Sequence, residues 1–181
     1  TWFFCRDLQK EFPSPAREAR GTRFRRGARG EVLELVALAV ICDIAPLLEI
    51  NRSFAKFGLE EINKTHRPGL LAMFEEAAIA PPISPYHVGF IIGPRINATG
   101  RLEHAIDSLR LLCTKDPAKA RQLAAYLGET NRVRQDLTLQ STQHALNSLN
   151  LTNLLIVAHE SYDEGIIGLI AAKLVEKHHR P

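Results

Sequence analysis

Ala118–Leu149 runs for 32 residues with one Gly and no Pro, and Asp116-Pro117 stands directly before it. Asp is a favoured N-cap, and Pro fits the first turn of a helix, where its missing N–H is not needed. The stretch therefore predicts a single helix on the order of 45–50 Å long. Its apolar positions, Leu123, Leu127, Val133 and Leu137, form a thin stripe on a mostly polar surface. A long helix with so little to bury bridges two domains more readily than it sits inside one. The rest of the chain has to be organised at the two ends of this element.

Upstream, residues 2–12 read as a short amphipathic helix stopped by Pro13. Residues 13–30 hold three Gly, two Pro and almost no apolar side chains, so they read as a loop with no face to bury. The nearly continuous apolar run Glu31–Cys42 reads as a buried helix, given its Leu and Ala content. Helical patterns follow over Arg52–Lys64 and over Gly69–Ile79, the second with Pro68 at its first position, then a three-proline connection at Ala80–Pro85. Tyr86–Leu102 is dense in Gly and Arg, and Glu103–Cys113 is helical in pattern. Beyond the long helix, Leu154–Ala158 (LLIVA) reads as a buried strand and Gly165–Lys177 as a helix, which would open an α/β unit. The expected class is α/β and mainly helical, divided as 1–82, 83–115, 116–150 and 151–181. There is no initiator Met, and the chain ends on Arg180-Pro181 after a helical pattern, so both ends are expected to lie inside a longer protein.

The formal charge of +3 is unevenly spread. Residues 17–30 carry six Arg and one Glu, leaving 17 basic against 19 acidic residues elsewhere. The Arg segment could bind a nucleic-acid backbone without sequence preference, although a solvated loop is the commoner outcome. Cys5, Cys42 and Cys113 are far apart with no CxxC, which excludes a disulfide framework and a zinc site of usual spacing and fits a reducing, cytoplasmic compartment. Leu35–Ile50 is interrupted by Asp43, Pro46 and Glu49 and is shorter than the roughly 20 residues of a membrane span. No membrane partner is expected, and Thr1–Phe12 lacks the pattern of a signal peptide.

Three places could carry chemistry. Asp43 is the only acid between Leu35 and Leu48, and a buried carboxylate must be paired, hydrogen-bonded or on a metal. Taken alone, its position favours a helix-terminal Asp bonding backbone N–H groups ahead of Pro46. Gly93-Pro94-Arg95-Ile96-Asn97-Ala98-Thr99-Gly100-Arg101 places two Arg six residues apart with Gly at both ends. Such a string suits an oxyanion, with Gly letting backbone N–H groups approach and Arg giving bidentate bonds to phosphate. It equally suits a tight turn whose Arg pair with Glu103 or Asp107. Gly165 and Gly168 open a helix after the expected strand, where an anion could sit or where helix and sheet could pack closely. His178-His179 are adjacent, so they point to different faces of a helix and do not share a metal.

Together these strings resemble the RecJ single-strand-specific exonucleases of the DHH phosphoesterase superfamily, from about Glu31 to Pro181. The resemblance rests on LVALAVICDIAPLLEINR (35–52), NKTHRPGLLAMFEEA (63–77), GFIIGPRINATGRL (89–102) and EGIIGLIAAKLVEKHHRP (164–181). It implies the helical C-terminal part of a DHH catalytic domain, a connecting helix, and the first strand–helix unit of the DHH-associated domain. It implies digestion of single-stranded DNA from the 5′ end with two divalent metals, Mn²⁺ or Mg²⁺, in DNA repair and recombination. By the same resemblance Asp43 is a catalytic metal ligand, reversing the reading of the residue alone. Arg95, Asn97 and Arg101 hold DNA phosphates, with Lys173, Gly165 and Gly168 as weaker phosphate contacts. Single-stranded DNA is the implied partner, with a single-strand-binding protein or a helicase as further candidates.

The departures are specific. The family's aspartate-rich motifs and its Asp-His-His motif would lie before Thr1, and its Gly-Gly-His motif and oligonucleotide-binding domain would lie after Pro181, so this chain alone is expected to be inactive. Tyr162-Asp163-Glu164-Gly165 stands where many members have Trp-His before a small residue and Gly. Ala171-Ala172-Lys173-Leu174 stands where they often have Ala-Ser-Arg-Leu, and Lys173 keeps the charge without the bidentate fork. Two other readings make different predictions. A DHH phosphoesterase of short oligonucleotides or cyclic dinucleotides would lack the oligonucleotide-binding domain. A non-enzymatic helical module would lose nucleic-acid binding when 13–30 is deleted and not when Arg95 is changed.

Overall fold

The computed structural model describes residues 28–149 and 152–181, and the described chain is mainly helical, with no strand among those residues. It divides into two compact units, one ending at Gly93 and the other running Pro94–Pro181. The helix expected over 2–12 and nearly all of the Arg-rich segment lie outside the described residues.

The first unit holds α1 (Ala28–Cys42), α2 (Glu49–Ile62), α3 (Pro68–Glu76) and a π-helical stretch, His87–Ile92. Helix α1 starts three residues earlier than expected. Ala28, Arg29 and Gly30, read as the end of the loop, are its first turn, since one Gly among good helix formers does not stop a helix. Its Val36, Ala37, Leu38 and Val40 are buried, as its lack of a polar face requires. At the crossing of α1 with α2, a Cβ on Gly58 would lie 2.4 Å from Ala37 Cβ and 2.6 Å from the Leu33 carbonyl oxygen. Glycine is what lets these two backbones meet, over a core of Val36, Val40 and Ala55. Glu34, 4% exposed, pairs with Arg67 Nε at 2.6 Å, tying α1 to the residue that precedes α3. Pro68 opens α3 as expected. Asn63 then braces the proline-rich connection: its Oδ1 accepts from Ile83 N–H (2.6 Å) and its Nδ2 donates to the Ile83 carbonyl (3.0 Å).

The second unit holds α4 (Gly93–Leu102), α5 (Ile106–Cys113), α6 (Pro117–Ser148) and α7 (Ile167–His178). Helix α6 is the long helix read from the sequence, 32 residues and therefore about 48 Å. Its N-cap is Asp116, whose Oδ1 accepts from Ala118 N–H at 2.8 Å. Its buried stripe differs from the expected one. Leu127 is fully buried but Val133 is 43% exposed, and the contact positions are Ala120, Ala124, Gly128, Thr130, Asn131, Ser141 and Ala145. Small side chains let α5 and α7 lie close against it. The core at its far end joins Ala145 to Ile166, Ile170 and Leu174, with Leu102 and Leu137 packed on it.

Leu154–Ala158, read as a buried strand, is extended but unpaired, with Leu154 56% and Ile156 78% exposed. A strand is defined by a neighbour that takes its N–H and C=O groups. Among the described residues the one such bond printed on this segment is Leu155 N–H to the Pro181 carbonyl, 2.8 Å.

Candidate functional site

Asp43 lies one residue beyond α1, and it is exposed rather than buried. Helix α1 ends here because Ile44 takes the left-handed conformation (φ 52°), costly for a β-branched residue, and Pro46 forbids resumption. The hydrophobic run from Leu35 therefore stops being interior at Cys42: Ile44 is 89% and Leu48 72% exposed. The Asp43 N–H closes the last turn on the Ala39 carbonyl at 3.0 Å. Its carboxylate makes no hydrogen bond to a described residue, so the helix-terminal reading, in which that carboxylate caps backbone N–H groups, is not realised. An acid at a helix C-terminus faces the negative end of the macrodipole, which leaves a free, partly disfavoured anion suited to a cation. Burial, and then the Asp43 charge, raises the neighbouring Cys42 thiol to about 11. Among the described residues no group of three or more His, Cys, Asp or Glu side chains could hold a metal. Asp43 fits as one donor of a metal site and no more.

The Gly/Arg string does not form a turn. Backbone from Tyr86 onward is helical, first with a wide π turn whose defining bond runs from Gly93 N–H to the Val88 carbonyl, then as α4. Gly93 is needed for packing: a Cβ there would fall 2.8 Å from Cys42 Sγ. Because this backbone is helical, its N–H groups are spent on helix bonds and do not form the open cradle expected from the glycines. What the helix presents is side chains. Asn97 and Arg101 are exposed and four residues apart, on one face, with Gly100 between them, while Arg95 is half-buried. Thr99 is fully buried and bonds Ser108 Oγ (2.9 Å), which donates to the Ile96 carbonyl (2.6 Å). It fixes α4 against α5 rather than facing a ligand.

Arg101 does not pair with Glu103 or Asp107. Its Nη1 donates to the Gly165 carbonyl at 3.0 Å, while Asp107 accepts from Arg110 and Glu103 from the Tyr126 hydroxyl. Gly165 is therefore explained by contact. A Cβ on it would lie 2.0 Å from the Arg101 carbonyl oxygen, so α4 and the loop before α7 touch backbone to backbone. The Gly165 N–H is already taken by Asp163 Oδ1 at 2.7 Å, so a negative charge occupies the place where an anion was considered. A Cβ on Gly168 would meet nothing within 4 Å, so the close approach expected there is absent. Lys173, on α7, is exposed and paired with Glu176 at 3.0 Å.

One basic residue was not picked out from the sequence. Arg134, on α6, is held through Nε and Nη2 by Asn131 Oδ1 at 3.2 and 3.0 Å. Burial and then the positive charge of Arg101 press its guanidinium below the ordinary Arg value. The residues lie 33 positions apart, and the only local signal is Asn131 three residues before Arg134, the spacing of a side-chain clamp on a helix.

No family model matches the chain. It is similar to the single-stranded-DNA-specific exonuclease RecJ of Bacillus subtilis, 33% identical over 156 residues, covering 83% of this chain and 20% of that protein. It is similar to the enzyme of the same name from Escherichia coli, 32% identical over 161 residues, covering 83% and 28%. Among solved structures, Thermus thermophilus RecJ in complex with Mg²⁺ matches with a TM-score of 0.77 and 32% identity, over 86% of this chain and 25% of that one. An exonuclease RecJ bound to manganese matches with a TM-score of 0.78 and 32% identity, over 85% and 40%. The chain thus spans between a fifth and just over a quarter of the curated relatives named here.

Proposed function

The chain is of the RecJ family over the stretch that aligns, and on that premise we propose that it is part of a cytoplasmic exonuclease specific for single-stranded DNA, digesting 5′ to 3′ in repair and recombination. The observation that carries this reading is the coincidence of 32% sequence identity with a TM-score of 0.77 over 86% of the chain. In this reading the first unit completes the helical part of the catalytic domain, α6 is the connecting helix, and residues 151–181 open the DHH-associated domain.

Mn²⁺ or Mg²⁺, when bound, would activate water and offset the charge that builds on the phosphorus oxygens. Asp43 would be one of the donors, since its carboxylate is exposed and has no competing hydrogen bond. The single carboxylate cannot hold two cations, so catalysis needs donors other than the described residues of this chain. Asn97 and Arg101 offer an amide and a guanidinium from one face of α4 to phosphate oxygens, and Arg95 offers a second guanidinium. Lys173 adds charge at most, because Glu176 already occupies it.

The test is Mn²⁺-dependent release of nucleotides from 5′-labelled single-stranded DNA by the intact gene product, wild type against Asp43→Ala. Loss of several kcal/mol of charge stabilisation corresponds to a fall of roughly a hundredfold or more. Activity within a few-fold of wild type would remove Asp43 from the metal site.

A further inference from the structure

Charged side chains of the second unit mostly come in opposite pairs. Arg110 meets Asp107 at 2.8 Å, Arg132 meets Glu129 at 2.8 Å, and Lys173 meets Glu176 at 3.0 Å. Arg101 and Arg134 break this pattern. Each is held only by neutral acceptors, the Gly165 carbonyl for Arg101 and Asn131 Oδ1 for Arg134, and neither has an acidic partner among the described residues. The two side chains are neighbours. Leu102, next to Arg101, and Leu137, three residues after Arg134, pack on the same core, and Glu103 bonds Tyr126 across from α4 to α6.

Guanidinium does not give up its proton in a protein, so both residues stay charged and repel. The repulsion is felt at Arg134, whose affinity for its proton falls with burial and with the charge of Arg101. Two like charges are kept side by side here by fixed structure rather than relaxed apart. Asn131, 3% exposed, holds Arg134 with two bonds, and the Gly165 carbonyl holds Arg101 with one. Two of the five N–H donors of Arg134 and one of the five of Arg101 are used, so most of both forks remain open. A doubly positive, pre-oriented pair without a carboxylate matches one kind of ligand, an oxyanion that accepts from both.

We propose that Arg134 and Arg101 together form a phosphate clamp, with α6 supplying Arg134 as a second arm that grips the same phosphodiester of single-stranded DNA as Arg101. The proposal rests on the single-stranded-DNA reading and adds to it a residue that the Gly93–Arg101 string does not contain. Asn131 is its positioning residue: it touches no ligand and sets the direction of the Arg134 fork.

The experiment measures binding of a 5′-phosphorylated oligothymidylate by the intact gene product in EDTA, as a function of salt, for wild type, Arg101→Ala, Arg134→Ala, Arg134→Lys, the Arg101/Arg134 double variant and Arg121→Ala. Arg121 is exposed on the same helix and serves as a control for bulk charge. Each single clamp variant should weaken binding about tenfold, the value of one charge-assisted bond. Each should lower the salt slope by roughly 0.7, as expected for one phosphate contact on a single strand. The double variant should lose less than the product of the two, because both arms hold one phosphate. Arg134→Lys should keep the salt slope yet lose affinity, a separation that a merely misfolded variant would not give. If wild type does not bind the strand, the single-strand reading itself fails and takes the clamp with it. If Arg101→Ala weakens binding while Arg134→Ala does not, or Arg121→Ala costs as much as Arg134→Ala, only the clamp is overturned. Inorganic phosphate at matched ionic strength should leave the oligonucleotide bound; displacement that Arg134→Ala abolishes would assign the pair to free phosphate and overturn the proposal as stated.

Discussion

Replacing Gly165 and Gly168 by alanine should move stability in opposite directions, although the two stand three residues apart beside the same helix. A Cβ on Gly165 would sit 2.0 Å from the Arg101 carbonyl oxygen and 2.8 Å from its carbonyl carbon. Both are main-chain atoms near the end of α4, so no side-chain rotation relieves the clash, and the loop before α7 must back away from α4. Overpacking of this kind costs about 1–3 kcal/mol. Alanine returns about 0.4–1 kcal/mol through the unfolded chain, since no glycine here has a positive φ that alanine would refuse. The net is a loss of about 2 kcal/mol at most, together with the Arg101 to Gly165 bond. For a unit of this size that lowers the melting temperature by roughly 8–16 °C. At Gly168 the added methyl enters open space inside a helix, and the gain is about 0.5–1 kcal/mol. Hydrogen exchange of the α7 amides reads this unit by itself. Protection should fall in Gly165→Ala and rise in Gly168→Ala. If Gly165→Ala is as protected as wild type, the backbone contact between Arg101 and Gly165 is not there, and a ligand-cradling role for Gly165 becomes the better account.

Two further outcomes follow from the first unit. Because burial and Asp43 raise Cys42 to about 11, a thiol reagent near pH 8.5 should label exposed Cys113 and spare Cys42 roughly fifty-fold, as peptide mass mapping would show. The thiol is protonated in both folded and unfolded chains below about pH 9, so its contribution to stability is intact there. It is lost as pH rises toward 11, and equal labelling of the two thiols at pH 8.5 would contradict the burial. Arg67→Ala should cost about 2–3 kcal/mol in denaturant unfolding, because Glu34 is left buried without its partner. Adding Glu34→Leu should recover most of that loss, and no recovery would mean that the pair is not what Arg67 contributes.

The long helix was legible because its signals are local: an Asp-Pro start and no breaker for eight turns. Pro68 at the head of α3 was legible for the same reason. Residues 93–101 were recognised as a distinctive string but misread as a turn, because three of nine positions are Gly or Pro at its two ends and propensity alone weighs them as breakers. Their use is tertiary. Gly93 makes room for Cys42, just as Gly58 makes room for α1. Asp43 was expected inside because its neighbours are apolar, yet backbone geometry at Ile44 turns the chain outward. The LLIVA segment carries strand composition, but a sheet needs a partner that composition cannot supply. Arg134 stayed hidden because its significance comes from Arg101, one helix away in space and 33 residues away in sequence.

The π-helical stretch His87–Ile92 makes the chain unusually sensitive to length at this point. A wide turn holds one residue more than an ordinary one, and Gly93 N–H reaching back to Val88 is the bond that counts it. Deleting a single residue between 87 and 92 would let the backbone relax to an unbroken α-helix and turn everything after it by about 100°. Asn97 and Arg101 would keep their spacing but leave their present face, and Gly93 would no longer meet Cys42. Substitutions along this helix can be judged one at a time. Insertions and deletions cannot, since one residue here changes the aim of the whole string, and natural variation in this stretch should therefore preserve its length more strictly than its letters.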